Sequence, residues 1–432
     1  MSTTLSPDEV LRAFLSGGWN AGDALAEIGA LHACDLAAVS QQAGQFSCWA
    51  QAPTALGDDS LATLGRAAAY HFGAKSLFYQ AVLPSLDHIA DSVLAMTRAL
   101  ADFPQGQPGT LTLGGTESNL LACLAAREAH RRNGRRGRMR PNIVMSQTAH
   151  PSFGKAAHLF GMEVRRLPVG AAFTTPAAAF AEHVDADTAL IVASAPDYSF
   201  GLYDDVADLS TLAVERDVWL HVDAAVGGTL TAPLRTLGEP LPPVDFSSPG
   251  IRSISIDLHK HLGAPMGIGA LFTRSAADAK LHGYDEDLWP AGPMSSAILN
   301  GGRSAGPVAG AYAVLRHLGL AGCREIAATV RKRRRRLQDA LREIPGASIL
   351  GDPRCSTLAV RFDGAEPGQT AAAMASRGWR LNRLKRPPAL HFIVDAFPDE
   401  SVIDALAADL SHAVAAVSRG VRFAELEEAR YG

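Results

Sequence analysis

The chain has 432 residues, 47% hydrophobic and 19% charged, with a formal net charge of −4. This is ordinary globular composition, long enough for one large domain and a smaller one, and a mild negative charge gives no reason to expect a nucleic-acid or membrane partner. No apolar run reaches the ~20 residues of a bilayer span, and Met1 to Val10, carrying Asp8 and Glu9, lacks the basic start and apolar stretch of a signal peptide.

Residues 1–60 are expected to form a helical arm. Leu11, Phe14 and Leu15 fall at helical spacing, and a loop rich in Pro, Gly and Asp follows from Pro53 to Asp59. Five scattered cysteines (Cys34, Cys48, Cys123, Cys323, Cys355) have no zinc-type spacing and read as reduced thiols, so a cytoplasmic protein is expected. Leu61 to Leu100 is again helical in pattern. Short apolar runs then read as strands: Thr110 to Leu113, Asn142 to Met145, Glu163 to Leu167, Ala189 to Ala193, Val218 to Val222 and Ser253 to Ile256. Amphipathic stretches such as Ser118 to Arg132 and Val206 to Glu215 lie between them. Strand alternating with helix implies an α/β fold with a mostly parallel sheet covered on both faces, expected over residues 61–317. After Gly319 come a long helix, a strand at Leu358 to Phe362, a helix at Thr370 to Arg377 and a strand at Ala389 to Val394, so residues 318–432 are expected to be a small α+β domain.

Four segments at the ends of these strands carry chemistry. Leu113 to Asn119 places Gly114, Gly115 and Thr116 before a helix; such a loop offers amide N–H groups and a positive dipole end to a phosphate, although capped loops of this kind are frequent. His150 follows the next strand and could stack on a flat ring or serve as an ordinary histidine. Asp223 ends the run Val218 to Val222 and precedes small residues. A carboxylate so placed can pair with a protonated pyridine nitrogen, with Ala225 leaving room for the ring; the alternative is a helix cap. The run from Ser253 ends in Asp257, His259 and Lys260. An amine at the C-terminal edge of a parallel sheet can be desolvated into a nucleophile, or can be a surface lysine at a strand end. Strand ends converge on one edge. A phosphate cradle, a ring stacker, a pyridine partner and an amine are what pyridoxal 5′-phosphate (PLP) needs, and four coincidences there are less economical than one site.

These segments resemble the PLP-dependent fold-type I enzymes of the group II decarboxylase superfamily, and within it the sphingosine-1-phosphate lyases. Thr148 to Gly161 is similar to that family's stacking-histidine segment, Ser194 to Asp204 to its loop before the aspartate strand, and Gly378 to Phe392 to part of its C-terminal domain. The resemblance covers about residues 105–395. It implies a PLP-dependent transferase fold with a seven-stranded-type sheet. It implies Lys260 as the Schiff-base lysine, His150 as the stacker and Asp223 at the pyridine nitrogen. Gly115, Thr116 and His259 would lie near the phosphate, and Ser194, Ala225 and Asp257 are grouped with them as cofactor-binding. It also implies a homodimer with a shared active site, the Gly301-Gly302-Arg303 turn resembling a loop that reaches the partner's cofactor. Two departures bear on the substrate. The lyases carry a lysine where Met266 stands, and an Asn-Pro-Leu-His stretch whose nearest counterpart is Ser76 to Tyr79. Losing a cation and polar groups weakens the case for a phosphorylated substrate.

The expected activity is therefore carbon–carbon bond cleavage at Cα of a small amino substrate. Retro-aldol cleavage of a β-hydroxy amine leads and amino-acid α-decarboxylation follows. A non-catalytic binding protein on the same fold stays as the remoter reading, which the joint presence of Lys260, Asp223 and His150 opposes. Arg331 to Arg336 is read as a solvated helix face rather than a nucleic-acid patch, and His391 and Tyr79 as residues within possible reach of the site. No metal is expected.

Overall fold

The computed structural model describes residues 26, 28–31, 33, 44–45, 60–77, 83–132, 140–396 and 401–424. Leu11, Phe14 and Leu15 of the expected arm, and Tyr79, lie outside the described residues. A short strand β1 (Gly44–Gln45) precedes helices α1 (Ser60–Phe72) and α2 (Pro84–Leu100). Alternation then begins with β2 (Gly109–Thr112), α3 (Gly115–Arg132), β3 (Asn142–Ser146), α4 (Ser152–Phe160), β4 (Glu163–Leu167), α5 (Ala177–His183) and β5 (Thr188–Ser194). It continues through α6 (Val206–Arg216), β6 (Trp219–Asp223), α7 (Thr231–Thr236), β7 (Ile251–Asp257), β8 (Gly269–Thr273) and α8 (Ala276–Ala279). A hairpin, β9 (Tyr284–Glu286) and β10 (Met294–Ser296), leads into the long α9 (Gly306–Arg342). The chain closes with β11 (Ala347–Ile349), β12 (Thr357–Phe362), α10 (Pro367–Ala375), β13 (Trp379–Arg380), β14 (Asn382–Lys385), β15 (Pro388–Ile393) and α11 (Ser401–Ser418).

Strands β2 to β8 make one seven-stranded sheet in the order β2-β8-β7-β6-β5-β3-β4. Only β8 runs against its neighbours; the other pairings are parallel. The C-terminal ends of β2, β3, β5, β6 and β7 therefore share one edge, where open α/β sheets build their sites. Strand β8 has no counterpart among the expected strands. Its apolar centre, Ala270 to Phe272, is three residues long after a Gly/Pro-rich stretch, too short to show a period.

The two-residue period of a strand sorts the side chains. Leu220 and Val222 of β6 join Ile254 and Ile256 of β7 in the larger core, with Val93 of α2 and Leu209 of α6. Trp219, His221 and Asp223 alternate with them and face the other side, as do Ser253 and Ser255 on β7, where α3 covers them. That face has its own apolar cluster, with Leu120 and Cys123 of α3, Ile143 and Met145 of β3 and Phe153 of α4. The functional stripe thus lies under a helix on a polar strand face.

Helix α9 is interrupted at Gly319, whose φ of 56° and ψ of −177° are not helical. Beyond it, Leu337 and Leu341 enter a separate core with Leu358, Phe392 and Leu410. This core belongs to a four-stranded antiparallel sheet, β11-β12-β15-β14. Among the described residues α11 alone is long and apolar enough to cross a membrane; Leu406, Leu410 and Val414 pack its apolar stripe into that core.

The basic run Arg331–Arg336 is only in part the solvated face expected of it: Lys332, Arg335 and Arg336 are exposed, while Arg334 is buried. Glu239, with a side chain 1% exposed, accepts hydrogen bonds from Arg331 Nε at 2.7 Å, Arg334 Nη2 at 3.0 Å and Arg335 Nη2 at 2.6 Å. Arg333 donates to the Asp395 carbonyl and Arg336 pairs with Asp404. Burial would raise the Glu239 pKa; the hydrogen bond from Arg331 and the charges of Arg334 and Arg335 reverse this and hold it below the usual carboxylate range. The run fastens the end of α9 to the large domain.

Candidate active site

Strand β7 delivers Asp257 to the sheet edge, and the turn after it brings Lys260 back over the carboxylate: Lys260 Nζ is 3.1 Å from Asp257 Oδ2. The side chains are 16% and 3% exposed, so the amine is held in a largely enclosed place. His259 Nδ1 meets the Ile268 carbonyl at 2.7 Å, and its Nε2 lies 3.7 Å from Asp257 Oδ2. Since a carbonyl only accepts, Nδ1 carries a proton there. Asp257 Oδ1 is buried without a hydrogen-bond partner.

The Gly114-Gly115 turn presses on this group. A Cβ on Gly115 would stand 2.7 Å from Ala225 Cβ and 3.0 Å from Asp257 Oδ2, and one on Gly114 would stand 2.9 Å from His259 Cε1. Gly114 also has φ of +135°, which side chains disfavour. The first turn of α3 then begins at Gly115 and Thr116, and its leading amides have no partner inside the helix. Thr116 is exposed. Glu117 Oε2 accepts from the Leu113 amide at 2.7 Å and Oε1 from the Leu299 amide at 3.2 Å, which fixes the turn. Arg303 lies beside Glu117 of its own chain, and burial lowers its pKa while Glu117 opposes the shift.

Asp223, 7% exposed, ends β6 beside Ser194 of β5 and Ser255 of β7. Its Oδ2 accepts from Asn119 Nδ2 at 2.8 Å and its Oδ1 from the Ala225 amide at 3.1 Å; Ser255 Oγ, 3.3 Å from Oδ1, lies nearer to Asn119 Oδ1, at 2.9 Å, and has one hydrogen to give. The Ser194 amide donates to Asp204 Oδ2 at 2.8 Å, anchoring the loop that leaves β5. His150 is exposed at the mouth of the site; its Nδ1 meets Ser152 Oγ at 2.9 Å and the Ser152 amide at 3.2 Å. Desolvation lowers the His150 pKa; Asp223 opposes this, Lys260 adds to it and Asp257 opposes it. Ser152 and Asn119 link this imidazole to Asp223 by hydrogen bonds of 2.9, 3.0 and 2.8 Å, so the two groups lie close together.

The structure therefore gathers Lys260, Asp257, His259, Gly115, Ala225, Asp223 and His150, with Ser194 alongside Asp223 and Thr116 at the mouth. His391 is turned away: it is fully buried in β15 and its Nε2 donates to the Tyr198 carbonyl at 2.8 Å. Met266 is 54% exposed. Sequence reasoning passed over Asn119, Ser152, His221, Ser253 and Ser255. For β6 and β7 a signal existed, since Trp219, His221 and Asp223 alternate with apolar residues, as do Ser253, Ser255 and Asp257.

These groups fit PLP. The cradle that a Cβ would fill, the free amides of a helix start, a buried carboxylate with room for one more donor, an imidazole and an enclosed amine make up the donor and acceptor set that the molecule requires. Fold and site together define a PLP-dependent enzyme. The chain belongs to the pyridoxal-dependent decarboxylase family, whose conserved domain matches residues 47–356.

Its similarities divide between two activities. It is 34% identical over 321 residues to a sphingosine-1-phosphate lyase of Oryza sativa subsp. japonica, covering 73% of this chain and 59% of that protein. The chain thus spans about three-fifths of that relative's length. A solved sphingosine-1-phosphate lyase of Burkholderia pseudomallei superposes with a TM-score of 0.86 at 32% identity, covering 93% of this chain and 92% of that one. A probable L-tyrosine/L-aspartate decarboxylase of Methanocella arvoryzae is 33% identical over 306 residues, 71% of this chain and 78% of that protein.

Proposed function

We propose that this protein is a PLP-dependent carbon–carbon lyase that cleaves a bond at Cα of a small amino substrate, by retro-aldol cleavage of a β-hydroxy amine or amino acid. The supporting observation is the enclosed Lys260–Asp257 pair in a site that shares its fold, nearly end to end, with a solved sphingosine-1-phosphate lyase. Amino-acid α-decarboxylation is the second reading, favoured by the likeness to the archaeal decarboxylase and by Met266, which offers no charge to a phosphorylated substrate.

Lys260 would hold the cofactor covalently, Asp223 would face its pyridine nitrogen, His150 its ring face, and Gly115, Thr116 and His259 its phosphate. When bound, PLP draws electrons away from Cα of an attached amine and so weakens the bonds there. Asp257 Oδ2 accepts a hydrogen bond from Lys260 Nζ and holds the amine over the sheet edge. Asp223, fixed by the Asn119 side-chain amide and the Ala225 backbone amide, keeps a positive partner in place without itself turning. Ser152 holds His150 Nδ1, which leaves Nε2 as the nitrogen that can hold or give up a proton toward the open side.

A homodimer sharing its active sites belongs to the same proposal. Tyr284, Leu288 and Trp289 stand exposed on and beside the β9–β10 hairpin, an apolar set that a second copy would cover. So does a cytoplasmic location, supported by the buried free thiols of Cys123, Cys323 and Cys355. The decisive experiment is a panel of β-hydroxy amines and amino acids scored separately for aldehyde and carbon dioxide. Aldehyde release from a β-hydroxy amine is expected. Carbon dioxide without aldehyde would replace the first reading by the second, and a purified protein with no visible band bleached by borohydride would sink both.

A further inference from the structure

We propose that Asn119 is a positioning residue that ties Asp223 to His150 through a branching set of buried hydrogen bonds. The inference rests on the PLP reading above, because it concerns the two groups assigned to the cofactor ring.

The direction of each bond follows from what its atoms can do. The Asp223 carboxylate only accepts, so the atom of Asn119 2.8 Å from its Oδ2 is the amide nitrogen. The second hydrogen of that nitrogen goes to Ser152 Oγ at 3.0 Å. The Ser152 backbone amide, which only donates, lies 3.2 Å from His150 Nδ1, so that nitrogen accepts, and the Ser152 hydroxyl stands 2.9 Å from the same nitrogen as a second donor. On the other side, Asn119 Oδ1 only accepts, and it lies 3.0 Å from His221 Nε2 and 2.9 Å from Ser255 Oγ. Burial lowers the His221 pKa to about 4, although Asp223 opposes this, so its ring is neutral near pH 7. With the proton on Nε2, Nδ1 is bare and accepts from Ser253 Oγ at 2.8 Å. Ser253 in turn accepts from Trp219 Nε1, which only donates, at 2.8 Å.

The chain runs Trp219, Ser253, His221, Asn119, then divides to Asp223 and, through Ser152, to His150. Every link is at most 8% exposed until His150. The amide of Asn119 cannot flip without setting its Oδ1 against the Asp223 carboxylate in a buried place. The Ser152 amide and hydroxyl together hold His150 with Nδ1 as acceptor and, when neutral, its proton on Nε2. Asp223 is held in one rotamer by the same amide. Two side chains from different strands and loops thus share one reference point on α3.

The test compares Asn119→Leu, which removes both amide functions at similar volume, with Ser152→Ala, which cuts only the branch to His150, and Ser152→Thr, which keeps the hydroxyl. Histidine labelled with nitrogen-15 in the ring reports the tautomer by two-bond correlation spectra. The His150 signals are assigned by their loss in His150→Gln, and spectra are taken with and without PLP. Wild type, Ser152→Thr and Ser152→Ala are all expected to show a bare Nδ1 and protonated Nε2 on His150, because the Ser152 amide donates in each. The PLP dissociation constant is expected to rise about 10–100-fold in Asn119→Leu, the scale on which outer hydrogen-bond partners act, and less in Ser152→Ala. A protonated Nδ1 in wild type would overturn the proposal, as would a wild-type PLP dissociation constant in Asn119→Leu or in Ser152→Ala with a wild-type circular dichroism spectrum. The Ser152 pair decides the matter if Asn119→Leu does not fold. Failure of the wild type to bind PLP would sink the cofactor reading, while the spectra without PLP would still judge the hydrogen-bond chain.

Discussion

At the scale of single residues, the amine of Lys260 stands 3.1 Å from a carboxylate that is 3% exposed, and each explains the other. A buried carboxylate left without a cation costs several kcal/mol, so removing Lys260 tests chemistry only if the charge is kept. Lys260→Arg keeps a cation beside Asp257 but has no amine that can attack an aldehyde. Its expected behaviour is wild-type circular dichroism, no detectable turnover and no pyridoxyl label fixed by borohydride. Near-wild-type turnover would refute the assignment. Lys260, Asp223 and His150 were legible because each is a titratable side chain at or just beyond the end of an apolar strand. Asn119 and Ser152 were not. A helix position gains a polar role only from what packs against it, and nothing in the spacing of α3 announces that β6 lies beneath.

At the scale of elements, the seven-stranded sheet works by its alternation. Leu220 and Val222 hold β6 in the core while His221 and Asp223 face α3. The start of α3 must come close to the end of β6, and that approach needs glycine. Gly115→Ala would put a methyl 2.7 Å from Ala225 Cβ, an overpacking of about 1–3 kcal/mol. We expect a lower melting temperature and at least about a tenfold weaker hold on PLP, with the fold retained. An unaltered PLP dissociation constant would show that the turn does not cradle the cofactor. Strand β8 escaped the sequence because five residues after a Gly/Pro-rich turn give no period; its place between β2 and β7 follows from hydrogen bonding with both.

At the scale of the whole molecule, the two cores are joined by polar fastenings. Glu239 gathers three arginines of α9, and Glu239→Ala would leave them facing one another in a half-buried place. A loss of about 3 kcal/mol in urea unfolding is expected, within the range for breaking buried pairs; a change below about 1 kcal/mol would mean that the cluster is decorative. His391 joins β15 to the loop after β5 through the Tyr198 carbonyl, and burial lowers its pKa to about 4. The unfolded chain would protonate it near 6.5 and the folded protein only near 4. Its contribution to stability is therefore complete above pH 6.5 and lost as pH falls toward 4, with a slope of about 1.4 kcal/mol per pH unit. Wild type should accordingly lose stability more steeply between pH 6.5 and 4.5 than His391→Asn. Parallel curves in urea titrations at several pH values would contradict this.

The order of strands and helices, the strand-end groups and the cofactor they suit could be read from the chain alone, because strand period, apolar run length and the chemistry of a terminal side chain are local properties. Which side chains meet across elements was decided only on folding. The pairing of Asn119 with Asp223, the closing of three arginines on Glu239 and the turning of His391 toward Tyr198 rather than the site each join residues far apart in sequence. Such contacts depend on packing distances that no spacing along the chain records.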